Sequence, residues 1–312
     1  MQDYLRLESI TKTYGEKAAV SNLSLAVPKG AIYGVIGPNG AGKTTTIRMI
    51  MDIIAPDSGR IMIEGKEAGR NFKNRVGYLP EERGLYKKHT VEEIILLLGE
   101  IKNCSRKILN ERMDQWLERM NLLDYKKKKV EELSKGMAQK LQFITTVIHQ
   151  PDIIILDELF SGLDPINIEL IKNILLEEKR RGTTILFSTH VMEQAEKLCD
   201  YLCMINNGEK VLDGKLSDVK GRFGQNRVQI NIDGDGSFIK DLPGVESMNE
   251  FNNYIEIKLT DSANPQEILK TVSEKVAVRR FEMMEPSLYN IFIEVAGVKP
   301  KDVAEIKGEV NA

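Results

Sequence analysis

The run Gly37-Pro38-Asn39-Gly40-Ala41-Gly42-Lys43-Thr44 has the residue types of a phosphate cradle and fits the pattern G-x-x-x-x-G-K-[ST]. Glycines let consecutive backbone N–H groups turn inward around phosphate oxygens, because no Cβ blocks the conformations that such a loop needs. A lysine placed like Lys43 reaches the β- and γ-phosphates of a nucleotide, and the Thr44 hydroxyl, with Thr45 beside it, is suited to ligate Mg²⁺. That site needs a second, acidic contribution. The continuous apolar run Ile153-Ile154-Ile155-Leu156 delivers Asp157 and Glu158 at its end. Asp157 would hold the metal through water, whereas Glu158, one residue further on, is placed to polarise a water for attack on the γ-phosphate. The chemistry expected from these residues is hydrolysis of a nucleoside triphosphate.

Such groups work only if strands and helices aim them at one point. The stretch Ala31 to Ile36 reads as a strand running straight into the glycine loop, and Ile47, Ile50, Met51 and Ile54 then repeat at helical spacing. Upstream, Leu23, Leu25 and Val27 alternate and Pro28-Lys29-Gly30 supplies a turn, which predicts a hairpin. The helix ends at Ala55-Pro56-Asp57-Ser58-Gly59, and Arg60 to Glu67 resumes alternation. From about Thr90 to Gln150 there are three helical stretches and almost no strand signal, as for a helical subdomain inserted in a sheet. The run at Ile153 reads as a strand buried on both faces, and Thr183 to Thr189 as another, with a crossover helix over Ile168 to Arg181 between them. Beyond Gly214 the polar segment Lys215 to Gln225 reads as a boundary. A β-β-α-β unit follows: alternation at Val228, Ile230 and Ile232, then at Ile255, Ile257 and Leu259, a helix capped by Asn264-Pro265, and a strand near Val276 to Phe281. Leu288, Ile291, Phe292 and Val295 share a final helix face, with Gly297 as its stop.

Composition narrows the class. The 312 residues are 42% hydrophobic and 29% charged, which excludes disorder, collagen and a disulfide-stapled miniature. With 44 basic and 46 acidic side chains the net charge is −2, so no overall field favours nucleic acid or an anionic membrane, and no nucleic-acid partner is expected. Cys104, Cys199 and Cys203 form no CxxC pair and read as buried hydrophobes of a reducing compartment. The first ten residues lack an apolar stretch, and no run of about 18 apolar residues occurs, so neither a signal peptide nor a spanning helix is expected.

With these motifs assembled, the chain resembles the nucleotide-binding subunit of ATP-binding cassette (ABC) transporters over about residues 3 to 218. Leu133-Ser134-Lys135-Gly136-Met137 stands where that family has its LSGGQ signature, Ser161-Gly162-Leu163-Asp164 resembles its D-loop, and His190 its switch histidine. The resemblance implies an α/β fold: a P-loop NTPase (RecA-like) core with N-terminal antiparallel strands and an inserted helical subdomain at about 88–150, plus a small C-terminal α+β domain at 219–298 and a polar tail at 299–312. It implies ATP and Mg²⁺ as cofactors. Lys43, Glu158 and His190 would be the catalytic residues. Tyr14 would stack on adenine, Gly37 to Thr45 would hold the phosphates, Ser134 and Gly136 would touch phosphate from the signature, and Thr44, Asp157 and Glu81 would serve the metal. Three departures stand out. Glu81 replaces the Q-loop glutamine, Lys135 and Met137 replace a glycine and a glutamine of the signature, and Leu159 stands where a proline usually follows the acidic pair. His89 and His149 have no comparable context and read as structural.

One set of motifs per chain implies a head-to-tail dimer, with itself or a related ATPase. A separate membrane permease would receive the motion, docking on the surface that follows Glu81, and the chain would then be cytoplasmic, peripheral on the inner face of the membrane. The phrase from Gly77 to Tyr86 and the ending from Pro286 to Gly297 resemble ABC-2 type ATPases of sodium or drug export. The alternative is a soluble ABC-type ATPase acting on ribosomes or DNA. Neither a second cassette nor a long coiled-coil insertion is present to favour it, and a P-loop kinase or GTPase leaves the signature and D-loop segments unexplained.

Overall fold

The computed structural model describes residues 2–67, 72–81, 84–223, 226–251, 253–284 and 286–296. They form two compact units, divided between Gly214 and Lys215.

In the first unit, β1 (Asp3–Tyr14) and β2 (Lys17–Pro28) pair antiparallel, with Leu7 opposite Leu25. The chain then leaves that sheet: β3 (Ile32–Ile36) lies in a different one, so Pro28-Lys29-Gly30 is not the hairpin turn the alternation suggests. The reason is burial. Every residue of β3 is buried, which suits the centre of a parallel sheet and not an edge hairpin. After β3 come α1 (Lys43–Ile50), β4 (Ser58–Ile63) and β5 (Lys66–Glu67), and these two strands complete the first sheet in the order β2-β1-β4-β5. The short α2 (Phe72–Arg75) leads into β6 (Val76–Leu79).

Three helices follow: α3 (Val91–Ile101), α4 (Arg106–Arg119) and α5 (Lys135–Val147). Each begins at a hydroxyl cap. Thr90 and Glu93 close a capping box on α3, Ser105 accepts from the Ile108 N–H, and Ser134 accepts from the Met137 N–H. Ile94, Ile95, Leu109, Met113, Leu117, Leu141 and Ile144 are fully buried among them. The chain returns to the sheet with β7 (Ile153–Asp157), crosses through α6 (Pro165–Arg180) to β8 (Thr184–Thr189), and ends the unit with α7 (Met192–Leu198), β9 (Tyr201–Asn206) and β10 (Glu209–Lys215). The resulting six-stranded sheet has the order β10-β9-β3-β8-β7-β6, parallel from β9 to β6. A single apolar cluster joins the two sheets through Leu5, Leu7 and Ile10 of β1, Val35 of β3, Ile47 and Ile50 of α1, and Ile153 and Ile155 of β7.

The second unit begins with α8 (Leu216–Phe223), a helix within the polar segment that reads as a boundary. Its sheet has four strands, β11 (Arg227–Asp233), β12 (Val245–Phe251), β13 (Tyr254–Leu259) and β14 (Ala277–Met283), in the order β12-β13-β11-β14 and antiparallel throughout. Strand β12 corrects the expected β-β-α-β pattern. It is an edge strand with no fully buried residue, so its sequence carries no apolar alternation. The helix α9 (Pro265–Lys275) starts at its Asn264 cap and buries Ile268 and Val272 against Val228, Ile230, Ile255 and Ile257. The last helix, α10 (Leu288–Ala296), buries Leu288, Ile291 and Phe292; its expected stop at Gly297 and the tail at 299–312 lie outside the described residues.

Gly77 of β6 sits so close to α5 that a Cβ there would lie 2.2 Å from the Thr146 carbonyl oxygen. Backbone cannot yield to that contact as a flexible side chain would, so Gly77→Ala is expected to destabilise the protein by about 2 kcal/mol, measured as a shift in urea midpoint.

Candidate active site

Parallel pairing places the C-terminal ends of β3, β7 and β8 side by side, with Ile36 opposite Thr189 and Asp157 opposite Ser188. Ligands of open α/β sheets bind at these ends. The glycine loop leaves β3 there. It is anchored by the Gly37 N–H to the Thr189 carbonyl at 3.3 Å and by the Gly208 N–H to the Ala41 carbonyl at 3.0 Å. Pro38 is half-buried, Asn39 and Gly40 are exposed, and Ala41 is buried. Gly42 has φ 105, and a Cβ on it would lie 2.3 Å from the Ala19 carbonyl oxygen of β2, so only glycine fits where the loop becomes a helix. As the cap of α1, Gly42 offers no side chain to the first-turn amides of Lys43, Thr44 and Thr45. Those N–H groups and the positive end of the helix dipole are open to an anion.

Lys43 is buried, and its Nζ donates to the carbonyls of Gly37 at 2.9 Å and Pro38 at 3.0 Å. The same Nζ lies 3.3 Å from Glu158 Oε1, and His190 Nδ1 lies 2.9 Å from Glu158 Oε2. Burial alone would push the Glu158 carboxyl up. The His190 hydrogen bond and the Lys43 charge together outweigh it and hold the group below the ordinary glutamate value. Glu158 also has φ 50, a left-handed conformation that costs a non-glycine residue of order 1 kcal/mol and gathers at functional sites.

Asp157 is completely buried. Its Oδ1 accepts from Ser188 Oγ at 2.5 Å and from Thr44 Oγ1 at 3.3 Å, while Oδ2 is buried without a hydrogen-bond partner. Burial pushes this carboxyl up. The two hydroxyls offset part of that, and the charges of Glu81 and Glu158 add to it. A carboxylate oxygen without a partner beside a threonine hydroxyl is a donor set for a hard cation. Among the described residues no group of three or more His, Cys, Asp or Glu side chains is arranged for a metal.

The predicted residues do not all meet. Lys43, Thr44, Asp157, Glu158 and His190 converge as described. Glu81, at the end of β6, is exposed and within electrostatic reach of Asp157. Tyr14, half exposed, ends β1 opposite Lys17, with Lys12 Nζ 5.9 Å from its ring centre; β2, the other strand of that hairpin, touches the glycine loop at Ala19. Ser134 and Gly136 stand apart at the start of α5, where the Ser134 hydroxyl caps its own helix. His89 faces Glu93 on α3, and burial beside Lys102 and Arg112 pushes His149 down to about 4; neither belongs to the cluster. Ser188 is the residue that sequence reasoning missed. It donates to Asp157 Oδ1, and at 3.1 Å its oxygen accepts the Glu158 backbone N–H, so one hydroxyl ties the Asp157 carboxylate to the backbone of Glu158. Its strand also carries the hydroxyls of Thr184 and Thr189, so residue type alone did not single it out.

The ABC transporter family model matches residues 20–161, and that of the C-terminal domain of DrrA1-3-like ATP-binding proteins matches residues 214–296. The ABC transporter ATP-binding protein YhaQ of Bacillus subtilis is 42% identical over 293 residues, which cover 94% of this chain and 98% of the relative. This chain belongs to the ABC transporter ATP-binding family. It is an ABC ATPase. Nod factor export ATP-binding protein I of Paraburkholderia xenovorans is 39% identical over 216 residues, 68% of this chain and 71% of that one. A solved ATP-binding subunit of an ABC transporter superposes with a TM-score of 0.67 at 30% identity, covering 70% of this chain and 93% of that chain.

The raised Asp157 carboxyl means that its charge opposes folding above the ordinary carboxylate range and ceases to do so once the pH falls below it. Asp157→Asn keeps an acceptor for Ser188 and removes that charge. It is expected to raise nucleotide-free stability by about 1 kcal/mol at pH 8, with the gain disappearing toward pH 4, as read by urea denaturation at both pH values.

Proposed function

We propose that this ABC ATPase powers a separate membrane permease, in the direction of export, and that its hydrolysis site uses the residues converging on Glu158. The observation that carries this reading is the Lys43–Glu158–His190 contact beside Asp157 and Thr44. In the proposed mechanism Lys43 exchanges its loop carbonyls and Glu158 for the β- and γ-phosphates, and the first-turn amides of α1 hold the same phosphates. Asp157, Thr44 and Glu81 are the groups for Mg²⁺, which when bound would neutralise charge on the phosphates. Glu158, freed from Lys43, accepts a proton from the attacking water, and His190 fixes the orientation of its carboxylate. The His190 hydrogen bond favours its ionised form. Tyr14 would stack on adenine from the edge of the first sheet.

Ser134 and Gly136 lie at a helix N-terminus apart from this cluster, which supports their serving the nucleotide of a second ATPase subunit in a head-to-tail dimer. No helix among the described residues is long and apolar enough to cross a membrane, so a permease would be another chain. Export is supported by the name of the Nod factor relative. The chain would then sit on the inner face of the membrane, bound through that permease.

Glu158→Gln is expected to lower ATP turnover at least about 100-fold while leaving ATP affinity within a few-fold of the parent. Light scattering in ATP and Mg²⁺ should give the mass of a dimer, and a protein that stays monomeric overturns the head-to-tail reading. Purification of the same tagged variant from detergent-solubilised membranes should bring a protein with several spanning helices. Ribosomal or DNA-processing proteins in its place would favour the soluble alternative.

A further inference from the structure

Gln139 lies on α5 just past the Ser134-Lys135-Gly136 segment and is 3% exposed. Its Nε2 donates to the carbonyl of Leu159 at 2.5 Å and lies 3.5 Å from that of Ser161. Both carbonyls belong to the turn that leaves Glu158. That turn is closed by the Ser161 N–H on the Glu158 carbonyl at 3.1 Å and by the Leu163 N–H on the Phe160 carbonyl at 3.3 Å. Lys140, the next residue of α5, is also buried; burial lowers its proton affinity, while the charge of Asp164, at the far end of the same turn, raises it. Adjacent side chains of α5 thus hold the Leu159–Asp164 segment from one side. Glu158 itself is in a left-handed conformation, which persists only where the surroundings over-determine it. The grip of Gln139 on the two carbonyls is one such constraint.

We propose that Gln139 is a positioning residue for Glu158, and that through it α5 couples its own N-terminal segment to the carboxylate of its own hydrolysis site. The coupling rests on the reading above, in which Ser134 and Gly136 serve the partner's nucleotide. The two ATP sites of a dimer are then linked through α5. Phosphate at one site bears on the start of α5, and the Gln139 amide carries that displacement to the turn that aims Glu158 at the other site. An amide suits this place because only a donor satisfies the two carbonyl oxygens. A carboxylate of the same shape would face them with oxygen, and a methionine of similar length would leave them without a donor.

The test compares full-length parent, Gln139→Met, Gln139→Glu and Glu158→Gln, measuring thermal midpoint, ATP affinity by equilibrium binding, and turnover as a function of ATP concentration. The expected result is a kcat lowered about tenfold in the Met variant and about 100-fold in the Glu variant, because a small misplacement of a catalytic group costs that much. ATP affinity and thermal midpoint of the Met variant should stay at the parental values, and an ATP dependence that is expected to be sigmoidal in the parent should become hyperbolic in the variant. A kcat in the Met variant within about twofold of the parent overturns the proposal. So does a loss of kcat that is matched by equal losses of ATP affinity and thermal midpoint, since packing alone produces that pattern. If the Glu variant does not fold, the Met variant decides. Parental turnover in Glu158→Gln would instead overturn the hydrolysis reading on which the coupling rests, and that outcome is read without the Gln139 series.

Discussion

The parallel pairing of β3, β8 and β7 is the constraint on which the site depends. Its register puts Asp157 against Ser188 and Ile36 against Thr189, so a glycine loop, two carboxylates and a histidine leave the sheet at one edge. Backbone hydrogen bonds between buried strands hold that alignment far more rigidly than loop contacts would. Around it, the charges of Lys43 and Glu158 have near neighbours of complementary kind. Lys43 lies between loop carbonyls and Glu158, His190 steadies the other oxygen of Glu158, and Ser188 joins the Asp157 carboxylate to the Glu158 backbone N–H.

On the proposed reading, the contacts of Lys43 and Glu158 are ones that phosphate would replace. Lys43 bonds to Gly37 and Pro38 where phosphate oxygens are needed, and a buried Asp157 oxygen has no partner. Buried polar groups left in this condition cost free energy, and a ligand that supplies phosphate and a cation relieves it. The shifts of the two carboxyls fit that picture. Asp157, short of positive charge, binds its proton more tightly, and Glu158, beside Lys43 and His190, binds its proton less tightly. Two neighbouring acids pushed in opposite directions are the mark of divided roles.

The scaffold around the site is ordinary in its physics. Hydroxyl caps start the three helices between β6 and β7, and the apolar cluster between the two sheets holds β1 and β2 where β2 reaches the glycine loop at Ala19. The second unit repeats the logic on a smaller scale, with α9 covering one face of an antiparallel sheet. Its likeness to the DrrA1-3-like C-terminal domain is the observation that separates this chain from a bare cassette.

Much of this was legible in the order of residues. The glycine-lysine run, the apolar strand ending in Asp157-Glu158, the crossover helix and His190 at a strand end are local patterns, because strand burial, glycine loops and helix starts are written within a few residues of chain. The first hairpin, the helical character of α8 and the edge strand β12 were not, since each depends on which sheet or face a segment joins and not on its own periodicity. Ser188 and Gln139 were hidden for the same reason. Their partners, Asp157 with Glu158 and the carbonyls after it, lie 31 and 20 residues away along the chain. By itself the sequence determined the family of chemistry and the elements that carry it. The tertiary structure alone decided which hydroxyl and which amide hold the carboxylates in place, because hydrogen-bond geometry between distant segments exists only once the sheet and α5 have packed together.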